Sequence, residues 1–321
     1  MVGLQVFDEY KCSFLKLIMT QKRQYIIVTI FLFALNGLHG VAAEPIQVLA
    51  DRAFANGFVL TGATHAAPRR TETFGRDNVQ PDWIIAQWTS RGSLDDVKID
   101  DDTISLSDLY KSVKIDRKTG AINLSADTSK EYPEPRKSSS EPWVHLLLEQ
   151  SPFKKPVQID QAKAIWAEIE FELTQFEAFG KNDPNLHAAQ FSWYLYLKNT
   201  NKKSQGFGDF LWFGISLFDD RHDFIPLYAH QDFAVPNGKF IYTLGSAAYM
   251  KEKVAVGKRF KVRINLLPEI EKALAKANAN GFLEHSTVKD MCFDGTNIGW
   301  EIPGMFDVGV TIHRLSLEIV E

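Results

Sequence analysis

The sequence predicts an all-β protein: a two-sheet antiparallel sandwich of jelly-roll type with one packed helix. Long stretches alternate apolar and polar residues with a period of two. One stretch, near 268–280, switches to helical spacing between a first-turn proline and a glycine. Beyond residue 43 the chain carries one cysteine, Cys292, so no disulfide can form within that part and stability has to come from a core. The chain's 23 Phe, 9 Tyr and 7 Trp can fill one.

Residues 1–43 read as a leader. The apolar run Tyr25-Ile-Ile-Val-Thr-Ile-Phe-Leu-Phe-Ala-Leu35 is short for a lone membrane anchor. Lys22 and Arg23 precede it, and Val41-Ala42-Ala43 follows as a small-residue cleavage site, the pattern of a secretory signal peptide. Met19 is the natural start, with 1–18 as an N-terminal extension. The expected product is secreted or periplasmic and begins near Glu44, with no stable membrane insertion after cleavage. Cleavage removes four basic and two acidic residues and takes the formal charge from -4 to -6. That balance argues against nucleic acid and anionic membrane surfaces as partners. Cys292 is expected to be buried and inert. Oligomeric state is open.

The strands follow in order. Strands are expected at 84–88 and 144–149. At 166–173, Ala167, Ile169, Phe171 and Leu173 share one face, and Glu168, Glu170 and Glu172 the other. At 191–197, Phe191, Trp193, Leu195 and Leu197 oppose Tyr194 and Tyr196. At 211–217, Leu211, Phe213, Ile215 and Leu217 oppose Trp212, Gly214 and Ser216. Further strands are expected at 240–244 and 260–266. Lys118-Thr-Gly120 and Pro236-Asn-Gly238 are turn signals. In the last strand Phe306, Val308, Val310 and Ile312 alternate, then the phase flips to Leu315, Leu317 and Ile319, which predicts a bulge at His313-Arg314.

The helix has Pro268 in its first turn, Glu269 and Glu271 at its positive end, and Gly281 past its C-terminus. Leu267, Ile270, Leu274 and Ala277 form its apolar stripe. The segment 129–142 is rich in Pro, Ser and charge and reads as an exposed loop. Residues 44–321 are expected to form one domain around it.

For function, the segment Asn297-Ile-Gly-Trp-Glu-Ile-Pro-Gly304 reads as a turn that sets Trp300 beside Glu301 at the mouth of a strand. An aromatic beside a carboxylate, on backbone that glycine lets approach a ligand, suits sugar recognition. Trp212, Trp300, Tyr194 and Tyr196 are the aromatics expected on a concave face, where sugar C–H faces lie on rings.

The order helix, Gly281, loop, Asn297 to Gly304 and final strand resembles the C-terminal end of family-12 glycoside hydrolases, β-jelly-roll endoglucanases of concanavalin A-like build. Those proteins carry a Gly-x-Glu-x-x-x-Gly turn whose Glu is the general acid/base. Gly299, Glu301 and Gly304 are similar, with the second glycine one residue early. The resemblance implies Glu301 as general acid/base. A retaining mechanism needs a second carboxylate about 5 Å away, which the family places mid-strand on its cleft face. The corresponding strand here is 208–217. Its Asp209 has the parity of Leu211 and Phe213, the expected core face, and the other face shows Phe210, Trp212, Gly214 and Ser216.

Glu168-Ile-Glu-Phe-Glu172 is similar to the Glu-x-Asp-x-Glu strand of family-16 glycoside hydrolases, with Glu170 at the central Asp position. It reads more simply as a solvent-facing strand. Asp95, Asp96, Asp100, Asp101 and Asp102 lack calcium-loop spacing and read as a solvated loop. His222 and His230, near Asp219, Asp220, Arg221 and Asp223, read as loop-shaping residues. No cofactor motif or metal-ligand spacing is present in the sequence. Asn123-Leu-Ser125 is a glycosylation sequon. The reading is an exported carbohydrate-binding sandwich. The alternatives are a polysaccharide-cleaving enzyme using Glu301, and a structural or adhesion protein without a glycan site.

Overall fold

A computed structural model describes residues 44–64, 69–74, 79–232 and 239–321. The expected leader at 1–43 and the turn signal at 236–238 lie outside the described residues. The first strands are β1 (Ile46–Gln47), β2 (Phe58–Leu60), β3 (Arg70–Glu72), β4 (Trp83–Ala86), β5 (Asp96–Ile99) and β6 (Thr103–Ser107). Then come β7 (Lys111–Asp116), β8 (Ile122–Asp127), helix α1 (Thr128–Glu131), β9 (Val144–Gln150) and β10 (Val157–Gln158). The long strands β11 (Ala164–Ala178), β12 (Gln190–Asn199) and β13 (Phe210–Asp219) follow, with β14 (Tyr228–Asp232) and β15 (Lys239–Leu244). The chain ends with β16 (Arg259–Asn265), helix α2 (Leu267–Asn278), β17 (Met291–Ile302) and β18 (Phe306–Val320).

Among the described residues these strands form two sheets, a jelly-roll sandwich as expected. The smaller sheet has the order β16-β11-β18-β8-β7-β6-β5, with β1 added to β18. The larger has the order β14-β15-β13-β12-β17-β9-β4-β2-β3, with β10 added to β17. Pairing is antiparallel except for β13 with β15 and β2 with β4. One residue set from each sheet fills the space between. Ile165, Ala167, Ile169, Phe171 and Leu173 of β11 face Phe191, Trp193, Phe213 and Trp300, all buried. The buried Trp193 indole N–H donates to Thr296 Oγ1 at 2.8 Å, so the ring is buried without an orphaned donor.

The phase flip in the last strand is a bulge. Glu170 pairs with Arg314 and Phe171 with Ile312, which leaves His313 as the extra residue. Helix α2 buries Ile270, Ala273, Leu274 and Ala277 against β13, β14 and β15, with Leu267 only partly buried. Gly281 takes a φ of +78° past its end, where a side chain would be strained. Cys292 is buried, and burial pushes its thiol up.

Two expectations need correction. The segment 297–304 is not a turn: β17 runs unbroken to Ile302, and Pro303 ends it. Gly299 lets β17 approach β9, not a ligand. A Cβ there would sit 2.2 Å from the Leu146 carbonyl oxygen. The segment 129–142 starts inside the fold. Helix α1 caps on Asp127, and Glu131 is buried, accepting from Ser90 Oγ at 2.6 Å and from the Arg91 N–H. Lys111 Nζ, equally buried, meets Asp108 at 2.6 Å and lies 4.0 Å from Glu131. Glu131's partners lie on remote strands and loops, so local composition could not signal its burial.

Candidate functional site

The outer face of the larger sheet, the one turned from the core, gathers most of the candidates. On β12 every second residue points there, so Tyr194 and Tyr196 share it with Trp212 and Phe210 of β13 by register. The four rings pack on one another. Tyr196 and Trp212 have centroids 4.8 Å apart, Tyr194 and Trp212 5.8 Å, and Tyr196 and Phe210 5.8 Å. Lys239 Nζ lies 4.4 Å from the Phe210 ring centroid. Glycines make the room. A Cβ on Gly214 would come within 2.7 Å of the Tyr194 ring, and one on Gly295 within 2.7 Å of the Tyr196 ring.

Trp300 is not on this face. It is fully buried between the sheets, its Nε1 donates to the Leu124 carbonyl at 3.2 Å, and its ring packs 5.4 Å from Phe191. The expectation treated 297–304 as a turn, where neighbours can share a face. In a strand successive side chains point oppositely, so Trp300 and Glu301 divide between core and outer face.

Glu301 is half-buried at the end of β17, opposite Gln190 of β12 and His145 of β9. His145 Nε2 lies 3.8 Å from its carboxylate. Trp143 and Trp88 flank the imidazole, with ring centroids 5.3 and 6.0 Å away.

A residue not singled out in the sequence stands beside the aromatic group. Glu149 of β9 pairs with Asn297, on the same face as Glu301. It is 5% exposed, and burial pushes its carboxyl up to about 7, with Asn297 and Arg69 acting in the opposite direction. Its Oε1, Asn297 Oδ1 and Trp212 Nε1 are all closed off from solvent, with Asn297 near enough to the carboxyl to oppose the rise. Burial, and then the charges of Glu149 and Glu301, push the Tyr196 hydroxyl well up. Burial and then Glu301 do the same to Tyr194. The carboxylates therefore lie within electrostatic reach of the tyrosine pair. Along β9, Glu149 stands four residues from His145, the partner of Glu301. That is roughly 13 Å of strand.

The other candidates are engaged elsewhere. Asp209 accepts from Ser286 Oγ at 2.7 Å beneath the loop before β13. Asp219 is held by Arg221 at 2.6 Å and by Gln190 at 2.9 Å, and Asp220 accepts from the Ala189 N–H. Asp100 Oδ1 accepts two turn N–H groups, and Asp96 and Asp102 pair with Lys98 and Lys118. Glu168, Glu170 and Glu172 lie on the other sheet, each beside a cationic or imidazole side chain.

Glu149 is hard to read from the sequence because the run Leu146-Leu-Leu148 masks the alternation that sets it on one face with His145 and Leu147. The usable signal was its four-residue spacing from His145, which puts both on one face of the strand.

Among known proteins, no family model matches the chain, and no curated protein matches it. Solved structures similar in shape are family-12 glycoside hydrolases. An endoglucanase from Rhodothermus marinus shares 9% identity over 67% of this chain and 91% of its own, with a TM-score of 0.38. A family 12 xyloglucanase from Bacillus licheniformis shares 11% over 72% of this chain and 100% of its own, at 0.40. The catalytic domain of a Humicola grisea Cel12A shares 8% over 70% and 95%, at 0.36. Likeness of this degree leaves the chemistry to be argued from the residues themselves.

Proposed function

We propose that the protein binds a poly- or oligosaccharide non-covalently on the outer face of the larger sheet, across Tyr194, Tyr196 and Trp212. The observation that carries this is the group of rings itself: Tyr194, Phe210 and Trp212, only partly buried, gather on one outer face beside Tyr196. Sugar hydroxyls supply donors and acceptors while their C–H faces lie on the rings. Glu301 and His145 extend the polar surface along β17 and β9. Glycan arrays followed by calorimetry test the reading. Trp212→Ala should weaken binding by about 1–2 kcal/mol, roughly tenfold in Kd. Equal affinity in a variant that melts like the wild type would remove the aromatic group from the site.

Hydrolysis is the second reading, favoured by one observation: Glu149, titrating near neutrality, shares a face with Glu301. Their strand positions lie roughly 13 Å apart, whereas paired glycosidase carboxyls stand about 5–9.5 Å apart, so cleavage would need both side chains to lean toward each other. Binding needs no such convergence and is the better reading. Cleavage of a polysaccharide panel that falls about 10²-fold or more in Glu301→Gln would reverse the choice.

The protein is proposed to be exported after cleavage at Ala43, on the strength of the charged segment, short apolar run and small-residue site ahead of it. N-terminal sequencing of the product checks this, and a retained Met1 or Met19 would refute it. Among the described residues, no helix is long and apolar enough to cross a membrane.

A further inference from the structure

The bulge at His313 has a consequence on the opposite side of the molecule. An extra residue in β18 lets His313 and Arg314 both stand on the outer face of the smaller sheet, beside Glu172 and Glu168. They border a groove of about 530 Å³. Its other walls are the loop carrying Arg52, the β7–β8 turn carrying Arg117 and Lys118, and Arg259 of β16. Five strong cations line the groove against one lining carboxylate, Glu170. This local excess sits on a chain whose formal net charge is -4.

The cations are not all neutralised by neighbours. Lys118 pairs with Asp102, Arg259 with Glu170, and Arg314 with Glu168. Glu168 is also within 4 Å of Lys261 and Arg263, so three cations share it. Among the described residues, Arg52 and Arg117 have no carboxylate within 4 Å. Arg117 rests on the Phe74 ring, 5.1 Å from its centroid and within the reach of about 6 Å of a cation–π contact, and donates to the backbone carbonyls of Asp100 and Asp101. Trp83 and Leu49, both buried, form an apolar floor.

We propose that this groove binds a small organic oxyanion: a sugar-sized molecule carrying a phosphate or sulfate group. Guanidinium forks match the oxygens of such groups in a bidentate manner, and Arg52 and Arg117 are the forks with capacity to spare. The volume falls in the range of small-ligand sites, and the apolar floor suits the ligand's carbon body. The site is independent of the aromatic face, which lies on the other sheet.

Calorimetry on the full chain with glucose 6-phosphate, glucose 6-sulfate, glucose and inorganic phosphate tests the proposal. Both charged sugars should bind, glucose should not, and affinity should fall as sodium chloride is raised. Arg52→Gln combined with Arg117→Gln should weaken binding about tenfold or more. If that variant melts early, Arg52→Gln alone keeps the Phe74 contact and should still weaken binding several-fold. In amide NMR spectra the charged sugars should shift Gly120 and Leu315 and leave the Trp212 indole unmoved. No binding, equal binding of glucose, or unchanged affinity in folded Arg52→Gln would overturn the proposal. Inorganic phosphate binding as tightly as the sugar phosphate would overturn its organic part. A shift at Trp212 alone would assign the binding to the aromatic face instead.

Discussion

On the smaller sheet, Glu168, Glu170 and Glu172 point outward from β11 and meet Arg314, Arg259 and His313. On the larger sheet, Tyr194 and Tyr196 point outward from β12 and meet Trp212. Both strands obey the same alternation, with an apolar face against the shared core. The outward face is what differs. Cross-strand charges satisfy one another at the surface and contribute little each, about 0–1 kcal/mol. Packed rings around a buried carboxyl instead give the larger sheet an aromatic outer surface with little charge at its centre. The comparison separates a face built of charge pairs from one built of packed rings.

The largest effect should come from the residue between the two faces. Trp300→Ala removes a fully buried ring and its hydrogen bond to Leu124. It should cost about 3–5 kcal/mol in urea unfolding. A cost below about 1 kcal/mol would return Trp300 to the surface and undo the division between core and outer face.

Glu149→Gln sharpens the contrast through pH. Burial raises its carboxyl from the ordinary 4.5 to about 7 in the folded protein. Below about pH 4.5 both folded and unfolded states hold the proton. Between about 4.5 and 7 the unfolded chain releases it first, so stability falls as pH rises and levels off above about 7. The glutamine variant should lose this component of the pH dependence. It should gain up to about 3 kcal/mol over wild type at pH 8 relative to pH 4. Identical pH–stability curves would show that Glu149 is solvated and not buried beside the rings.

The legible and illegible parts of the sequence divide along the same lines. Alternation in β11, β12, β13 and β18 named the core faces, and even the bulge at His313 was visible as a phase flip. Alternation reports which side of a strand is apolar, and core packing depends on little else. Trp300 was misplaced because two glycines and a proline imitate a turn, while Gly299 serves the close approach of β9. Glu149 and Glu131 were hidden because a buried carboxyl depends on partners distant in sequence: Asn297 for one, Ser90 and Lys111 for the other. Tyr194, Tyr196 and Trp212 share one side because strand parity alone fixes it.

The smallest expected effect belongs to Glu170, and it tests the charged face as Trp212→Ala tests the aromatic one. Glu170 contacts Arg259 at 3.0 Å, with the side chains 25% and 54% exposed to solvent. Water and salt screen such a pair, and holding two long side chains together costs entropy, so Glu170→Gln should change stability by less than about 1 kcal/mol. The same change removes the carboxylate lining the basic groove and frees the Arg259 guanidinium. Affinity for glucose 6-phosphate should therefore rise a few-fold, and more at low salt than at high. Glycan binding on the larger sheet should stay as it was. A stability loss of several kcal/mol would make the charge ladder a structural necessity. A rise in affinity on both faces would mean that the two sheets do not act as separate surfaces.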